Sequence, residues 1–557
     1  MTAQLPIKPE SGGRMAEGFC TPKEDCQPQK MSVAPKRVIP IVFLPGIMGS
    51  NLRMSSTRQS IVRSKNNIAW RPDWTGEALA LVNASPAARQ LQLDPMSTEV
   101  DTYVGPAGIT GNSKETAEQR HKVDKLTVHF RLEGDTPLLM DDPSTKSPRR
   151  TKEEKARDRG WGEIYFSSYQ KILEQCEMYL NKIKIAGLWD SVINIDPALW
   201  QASDRSGLAQ IGESELKKAL SGCWYPVHAM GYNWLKSSSA AAVDIRSRLE
   251  KMMEKYVFDG YECEKIVLVT HSMGGLVARA LMHPEIGNFS DKILGVVHGV
   301  MPASGAPAAY KRMRCGFEEA MAGLAVAPKV LGNFGTEVTA VLANSPGGLE
   351  LLPSKEYGNG WLQIRHKGVI LKRLPEKGDP YEEIYKLRGK WYGLLREEWI
   401  NPANDDAAGF ERTCNFLNRA RKFHEAIAST YHEQSYAHYG ADASRPSWES
   451  VIWDIDKKHS GAAWESFDIW SDSAQGKMIV GSAARPFEVE LGESSGAGDQ
   501  TVPLRSADHQ LRSGKFKGIF RQTGYEHQSS YKDTRALRST LFSLVRIIQK
   551  MKWGSCD

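Results

Sequence analysis

The 557-residue chain lacks any long apolar run. Its longest hydrophobic stretches, such as Ile266–Val269 and Leu294–Val297, fall far short of the roughly 20 residues that a bilayer-spanning helix needs. They read as buried strands, and a soluble globular chain is expected. It also lacks paired cysteines. The eight present, at 20, 26, 176, 223, 263, 315, 414 and 556, form no Cys-x2-Cys pair and have no His at zinc-finger spacing. A structural metal site is therefore not expected, and most of these cysteines should be free, buried thiols. For Cys20 and Cys26, a bridge and two free thiols are both open readings. Charge of one sign is scarce too: Lys+Arg 72 against Asp+Glu 66 leaves +6 over the whole chain, which argues for neither nucleic acid nor anionic lipid. The run Lys146–Arg159 is interrupted by Glu153, Glu154 and Asp158 and reads as a solvated loop or helix face.

Residues 1–35 have no apolar periodicity and no hydrophobic segment of the kind a secretory leader carries. A flexible arm is expected, and export, if it occurs, by a route that does not read a cleaved signal. No internal repeat is visible. With hydrophobic residues at 41% and charged residues at 25%, the rest has the composition of an ordinary globular protein.

What is present is an alternation of strand and helix signals. Val38-Ile-Pro-Ile-Val-Phe-Leu44 is a fully apolar run closed by the turn Pro45-Gly-Ile-Met-Gly-Ser50, the form of a buried parallel strand. Trp161–Leu180 has helical spacing, with Tyr165, Tyr169, Ile172, Leu173, Cys176 and Leu180 on one face. Val227–Leu235 reads as strand and turn, Ser238–Tyr256 as a helix and Lys265–Thr270 as a strand. A helix follows from about Leu276, then the strand Ile293–Val300. That order implies a parallel sheet with right-handed crossovers. Sheet signals return at Met478–Val480 and Phe487–Leu491, and a tail helix at Asp533–Met551.

Four segments are expected: an N-terminal arm, 1–35; a core, 36–310, with a polar insertion at about 110–160; a helical lid or cap, 311–475; and the end of the core, 476–557, with the acid and base loops. The Trp- and Tyr-rich stretch 380–470 suits either a packed helical subdomain or the walls of a lipid site.

Thr270-His-Ser-Met-Gly-Gly275 sits where a strand becomes a helix, with Ser272 at the apex. A nucleophile elbow needs small residues around its serine because the turn is strained and crowded. Gly274 meets that need, whereas Thr270 stands where glycine is common. A serine hydroxyl needs a base and a third, orienting group to attack an ester, and on this kind of turn the chain order is Ser, acid, His. Asp499, in Gly498-Asp-Gln-Thr-Val-Pro503, and His527, in Gly524-Tyr-Glu-His527, fit that order. Asp508 with His509 is the rival pair, and Glu526 a further acid. His527 is favoured because a glycine lets its loop turn. The oxyanion hole would use the backbone N–H of Met273 and, from the loop after the first strand, that of Ile47. A plain tight turn at Pro45–Ser50 is the alternative. Glu493–Asp499 is oxygen-rich but has no defined ligand set, and no metal or cofactor is expected.

Phe43–Ser50, Gly231-Tyr-Asn-Trp234 and His271–Gly275 together resemble serine lipases and acyltransferases of the α/β-hydrolase superfamily. Gly498–Pro503 is similar to the acid loop of the lecithin:cholesterol acyltransferase-like branch, with Gln500 in place of a glycine. Ser345-Pro-Gly-Gly-Leu-Glu-Leu-Leu-Pro353 is similar to a cap segment of that branch and of GPI-inositol-deacylase-like lipases. Where the family more often has Thr-Pro-His-x-Gly, this chain has Met301–Pro307. With no leader, the chain most resembles bacterial type VI secretion lipase effectors. The resemblance implies an α/β-hydrolase fold with lid insertions and a triad of Ser272, Asp499 and His527 that hydrolyses membrane-lipid esters through an acyl-enzyme. It also implies action at a target-cell membrane or periplasm, and an immunity protein and a secretion-machine component as partners. An acyltransferase or amidase on the same triad, and a non-catalytic binding module on the same scaffold, are the alternatives.

Overall fold

The computed structural model describes residues 7–10, 13–18, 29–33, 35–64, 66–73, 81, 83–102, 152–181, 187–317, 332–455, 462–482 and 485–554. Its centre follows from the apolar runs. Strands that are hydrophobic at consecutive positions must be covered on both faces. Accordingly, β1 (Ile41–Leu44), β2 (Val227–Ala229), β3 (Ile266–His271), β4 (Ile293–Gly299), β5 (Ser435–Gly440) and β6 (Phe516–Gln522) form one sheet in the order β2-β1-β3-β4-β5-β6. Every neighbouring pair is parallel. Alternate side chains feed two separate cores. Val42, Leu44, Leu268 and Val296 pack on one side under helices α2 (Ser238–Phe258) and α3 (Gly274–Met282). Ile41, Phe43, Val267 and Val297 pack on the other under α1 (Phe166–Asn181) and α4 (Thr534–Ile548). The class is α/β, with helices on both faces of a parallel sheet.

From β1 the chain adds β2 on one side, then crosses over to add β3 on the other. Beyond the carboxyl ends of the strands, such a reversal leaves a crevice that adjacent crossovers cannot fill. The turn after β1 and the turn after β3 flank that crevice. The segment Ser345–Pro353 braces its rim: Ser345 Oγ donates to the Leu235 carbonyl at 2.9 Å, and the buried Glu350 carboxylate accepts from the Ser238 N–H at the start of α2 at 2.7 Å.

Three expectations are corrected. The segment 311–475 is not simply a helical cap. It holds helices such as Phe410–Ile427, but also β5 and most of a second six-stranded sheet. That sheet runs from Val369–Leu374 through Leu362–His366, Val451–Ile455, Arg485–Leu491 and Lys477–Ser482 to Asp468–Asp472. The last two strands before residue 492 thus belong to this second sheet and not to the core. Its inner face, including Leu362, Ile364, Trp453 and Val489, joins the α2–α3 core, so most of the aromatic wealth of 380–470 is internal packing, with Trp470 exposed. Trp361, Trp391 and Trp453 are fully buried.

In the expected N-terminal arm, Ile7–Glu10, Gly13–Gly18 and Gln29–Val33 pair antiparallel. Glu10 opposes Gly13 at the end of the first of these pairs. The basic run is not wholly solvated either: Lys155 and Arg159 are buried, and Arg159 meets Glu177 at 3.0 Å and lies over the Trp224 ring. Most of the polar insertion, 103–151, lies outside the described residues, as do Cys20, Cys26 and Cys556. Cys176, Cys223, Cys263, Cys315 and Cys414 are free, the first four buried.

Candidate active site

The turn after β3 is as crowded as its sequence suggests. Ser272 has φ +52°, in the left-handed region that side chains rarely adopt. Its N–H donates to the Gly299 carbonyl at 2.8 Å, fixing the turn to β4. A Cβ on Gly274 would lie 2.5 Å from the Leu44 carbonyl oxygen and 2.6 Å from that of Pro45, so only glycine fits. A Cβ on Gly46 would lie 2.8 Å from His271 Nδ1 and 3.0 Å from Ser272 Cβ. The two turns therefore touch through glycines. Thr270 is accommodated because it faces the neighbouring strand: its hydroxyl pairs with His298 Nδ1 at 3.4 Å, and its carbonyl accepts from the Tyr531 hydroxyl at 2.9 Å.

Three side chains from three distant loops meet at this turn. Ser272 Oγ lies 2.8 Å from His527 Nε2, and His527 Nδ1 lies 2.9 Å from Asp499 Oδ2. A carboxylate only accepts, so Nδ1 carries the ring proton, and Nε2 is left to accept from the serine hydroxyl. The other carboxylate oxygen, Oδ1, is held by the N–H groups of Thr501 (3.1 Å) and Val502 (2.7 Å). Asp499 is 1% exposed, and its loop and that of His527 are joined by the bond from the His527 N–H to the Asp499 carbonyl, 2.9 Å. Gly440, at the end of β5, closes against Asp499: a Cβ there would lie 2.6 Å from the Asp499 Cβ.

The N–H groups of Ile47 and Met273 have no hydrogen-bond acceptor among the described residues. Met273 lies at the start of α3, where unpaired N–H groups and the helix dipole favour negative charge. Among the described residues, no group of three or more His, Cys, Asp or Glu side chains is placed to hold a metal ion.

Among solved structures, the chain is similar to one described as the crystal structure of the Tle4-Tli4 complex. The TM-score is 0.72 at 31% identity, covering 92% of this chain and 99% of that one. The chain belongs to the Tle4 family. It has a fold like that of a type VI secretion lipase effector. No family model and no curated protein matches it.

In this member of the Tle4 family the rival acid and base are occupied elsewhere. His509 Nδ1 pairs with the Tyr431 hydroxyl at 3.0 Å, and Asp508 holds Arg521 through two bonds of 3.0 and 3.1 Å. Glu526 accepts from the Ser529 N–H at 3.0 Å. None of the three contacts Ser272 or the Asp499 carboxylate. Two groups at the site were not singled out from sequence. His271 is buried beside the serine, and burial with the nearby His527 ring holds its pKa down to about 3. Tyr169, on α1, brings a hydroxyl into contact with the same turns, and burial raises its pKa to about 12. The signal for Tyr169 was a phenol among apolar positions of one helix face, since a buried tyrosine tip needs a polar partner.

Proposed function

We propose that this chain is a serine lipase or phospholipase of α/β-hydrolase type that cleaves carboxylic esters of membrane lipids. The observation that carries the reading is the continuous hydrogen-bonded line from Ser272 Oγ through the His527 ring to the Asp499 carboxylate. As Ser272 Oγ bonds to the ester carbonyl carbon, its proton passes to His527 Nε2, and Asp499 offsets the imidazolium. The carbonyl oxygen, now negative, takes hydrogen bonds from the Ile47 and Met273 N–H groups. His527 then gives the proton to the departing alcohol. Water repeats the sequence on the acyl-enzyme, freeing the fatty acid and Ser272.

The domain reading follows from this. The parallel sheet and its helices form the catalytic core, with Asp499 and His527 supplied from its late loops. The second sheet and neighbouring helices form a cap: Arg312, on the helix Pro307–Cys315, already touches the acid loop through Thr501 at 3.1 Å. Kinship with Tle4, solved as a complex with Tli4, supports delivery as an antibacterial type VI secretion effector that acts on a target-cell membrane, with an immunity protein as partner. The test is turnover of short p-nitrophenyl esters and of phospholipid vesicles by wild type and Ser272→Ala. Release of fatty acid by wild type alone is expected. No turnover of either substrate by wild type, or equal turnover by both proteins, overturns the reading.

A further inference from the structure

Each component of the proposed machinery is carried by a loop, and loops do not keep sub-ångström registry unaided. The contacts around α1 supply a physical link between them. The Gly46 N–H, next to Ile47, donates to the Tyr169 hydroxyl oxygen at 3.3 Å. Tyr169 Oη lies 3.1 Å from His271 Nδ1, and His271 Nε2 lies 3.0 Å from the backbone carbonyl of His527. The directions are forced. A carbonyl only accepts, so His271 Nε2 carries the ring proton. A neutral ring then accepts at Nδ1, and the phenol donates to it. The result is one directional line: Gly46 N–H to Tyr169, Tyr169 O–H to His271, and His271 N–H to the His527 carbonyl. Gln528, next to the base, also approaches the phenol, at 3.5 Å, and donates to Ser168 Oγ on α1 at 2.8 Å.

We infer that Tyr169 and His271 are positioning residues that set the distance between the oxyanion loop, the nucleophile and the base through this buried line. The inference rests on the serine-hydrolase reading above. The low pKa of His271 suits the role. A ring protonated at Nδ1 would lose its bond to a phenol that donates, and burial together with the nearby His527 ring disfavours that protonated form. The packing suits it as well. Tyr169 is fully buried, with its ring 4.9 Å from that of Phe43 on β1 and 5.3 Å from that of His271, so its hydroxyl has no freedom to seek another partner.

The experiment is covalent labelling of Ser272 by a fluorophosphonate, which needs an activated serine and an oxyanion site but no particular lipid. Saturation of the rate separates reversible binding of the probe from the chemical step. Wild type should be labelled and Ser272→Ala should not. Tyr169→Phe keeps the ring and removes one hydroxyl. It should slow the chemical step roughly 10- to 100-fold, as displaced reacting groups do, with probe binding within about twofold of wild type. His271→Gln, whose amide N–H can still reach the His527 carbonyl, should label faster than His271→Leu. Adding Tyr169→Phe to His271→Leu should cost little more, because members of one line are not additive. Thermal unfolding of each variant checks the fold. If Tyr169→Phe folds and labels at the wild-type rate, or if Tyr169→Phe and His271→Leu multiply as independent changes, the positioning role is overturned while the triad stands. If wild type is not labelled at all, the hydrolase reading falls, and this inference with it.

Discussion

The two halves of the candidate site are built on different principles. The nucleophile corner is local. Ser272, Gly274 and Gly275 lie within four residues, the left-handed Ser272 needs glycine beside it, and the facing turn needs Gly46. The acid and base loops are held at long range. His527 reaches Ser272 across 255 positions, Asp499 relies on the N–H groups of its own turn, and Tyr531 ties the base loop to the Thr270 carbonyl across 261. Backbone strain enforces one half, and hydrogen bonds between remote segments enforce the other. Substitutions in the corner should thus disturb chemistry or backbone outright, and those in the loops should be graded by how many bonds they remove.

The largest expected effect is at the corner. Ser272→Ala should lower turnover on the order of 10⁴-fold or more while leaving the fold intact, measured with p-nitrophenyl esters and circular dichroism. Retention of a tenth of the activity would show that another group attacks. His527→Ala should come close behind, since a serine hydroxyl without a base is a poor nucleophile, whereas His509→Ala should remain within about threefold of wild type. A reversed ranking of these two would break the assignment of the base. Asp499→Asn should cost ~10²–10⁴-fold, because the amide keeps the shape but can present a donor to His527 Nδ1 and favour the wrong tautomer. Asp508→Asn should lose the charge and one of the two bonds to Arg521, and register in thermal stability more than in turnover.

Gly274→Ala sharpens the comparison from the other side. Its Cβ would press on the carbonyls of Leu44 and Pro45, so the turn must shift and activity should fall along with a lowered unfolding midpoint. A Gly274→Ala protein with wild-type stability and activity would mean that the corner is less constrained than its geometry implies.

The smallest expected effect concerns protons. Burial lowers the pKa of His298 to about 3. Its folded form is therefore neutral while the unfolded chain takes up a proton near pH 6.5. The stability it contributes is complete above that pH and is lost as pH falls from 6.5 towards 3. In His298→Asn, the slope of unfolding free energy against pH between 6.5 and 4.5, from urea melts, should fall by about one proton relative to wild type. An unchanged slope would show that His298 is not a buried neutral ring.

This division also explains what could be read from the sequence. β1, β3 and β4 are continuous apolar runs, and the elbow is a contiguous motif, so both announce themselves in a short window. β5 reads Ser-Tyr-Ala-His-Tyr-Gly, and β6 carries Lys517 and Arg521. Neither has strand alternation or a β-branched run, yet β5 is buried at every position. Two of its polar side chains meet groups from remote segments: Asp508 accepts from the Tyr439 hydroxyl at 2.7 Å, and His438 Nδ1 lies 3.5 Å from the Tyr525 hydroxyl. Two strands of the second sheet, at Met478–Val480 and Phe487–Leu491, were legible but were placed in the core, whereas its edge strand Val369–Leu374 was hidden because it is half solvated, with Val369 and Leu371 exposed. Asp499 and His527 were legible through chain order and loop composition. The Tyr169–His271 line was not, because its partners come together only when α1 packs on the sheet.

The span between Ser272 and His527 also has a bearing on synthesis. A ribosome adding about 5–20 residues per second places roughly ten seconds to a minute between the emergence of the elbow and that of its base. During that interval the nascent chain carries a serine with nothing to take its proton. β6 and the loop after it must then join the edge of a sheet whose other strands were made earlier, and only at that point does the hydroxyl gain its partner. For a protein proposed to degrade membranes, such late assembly keeps each new copy inert until the segment bearing His527 has been made and has docked.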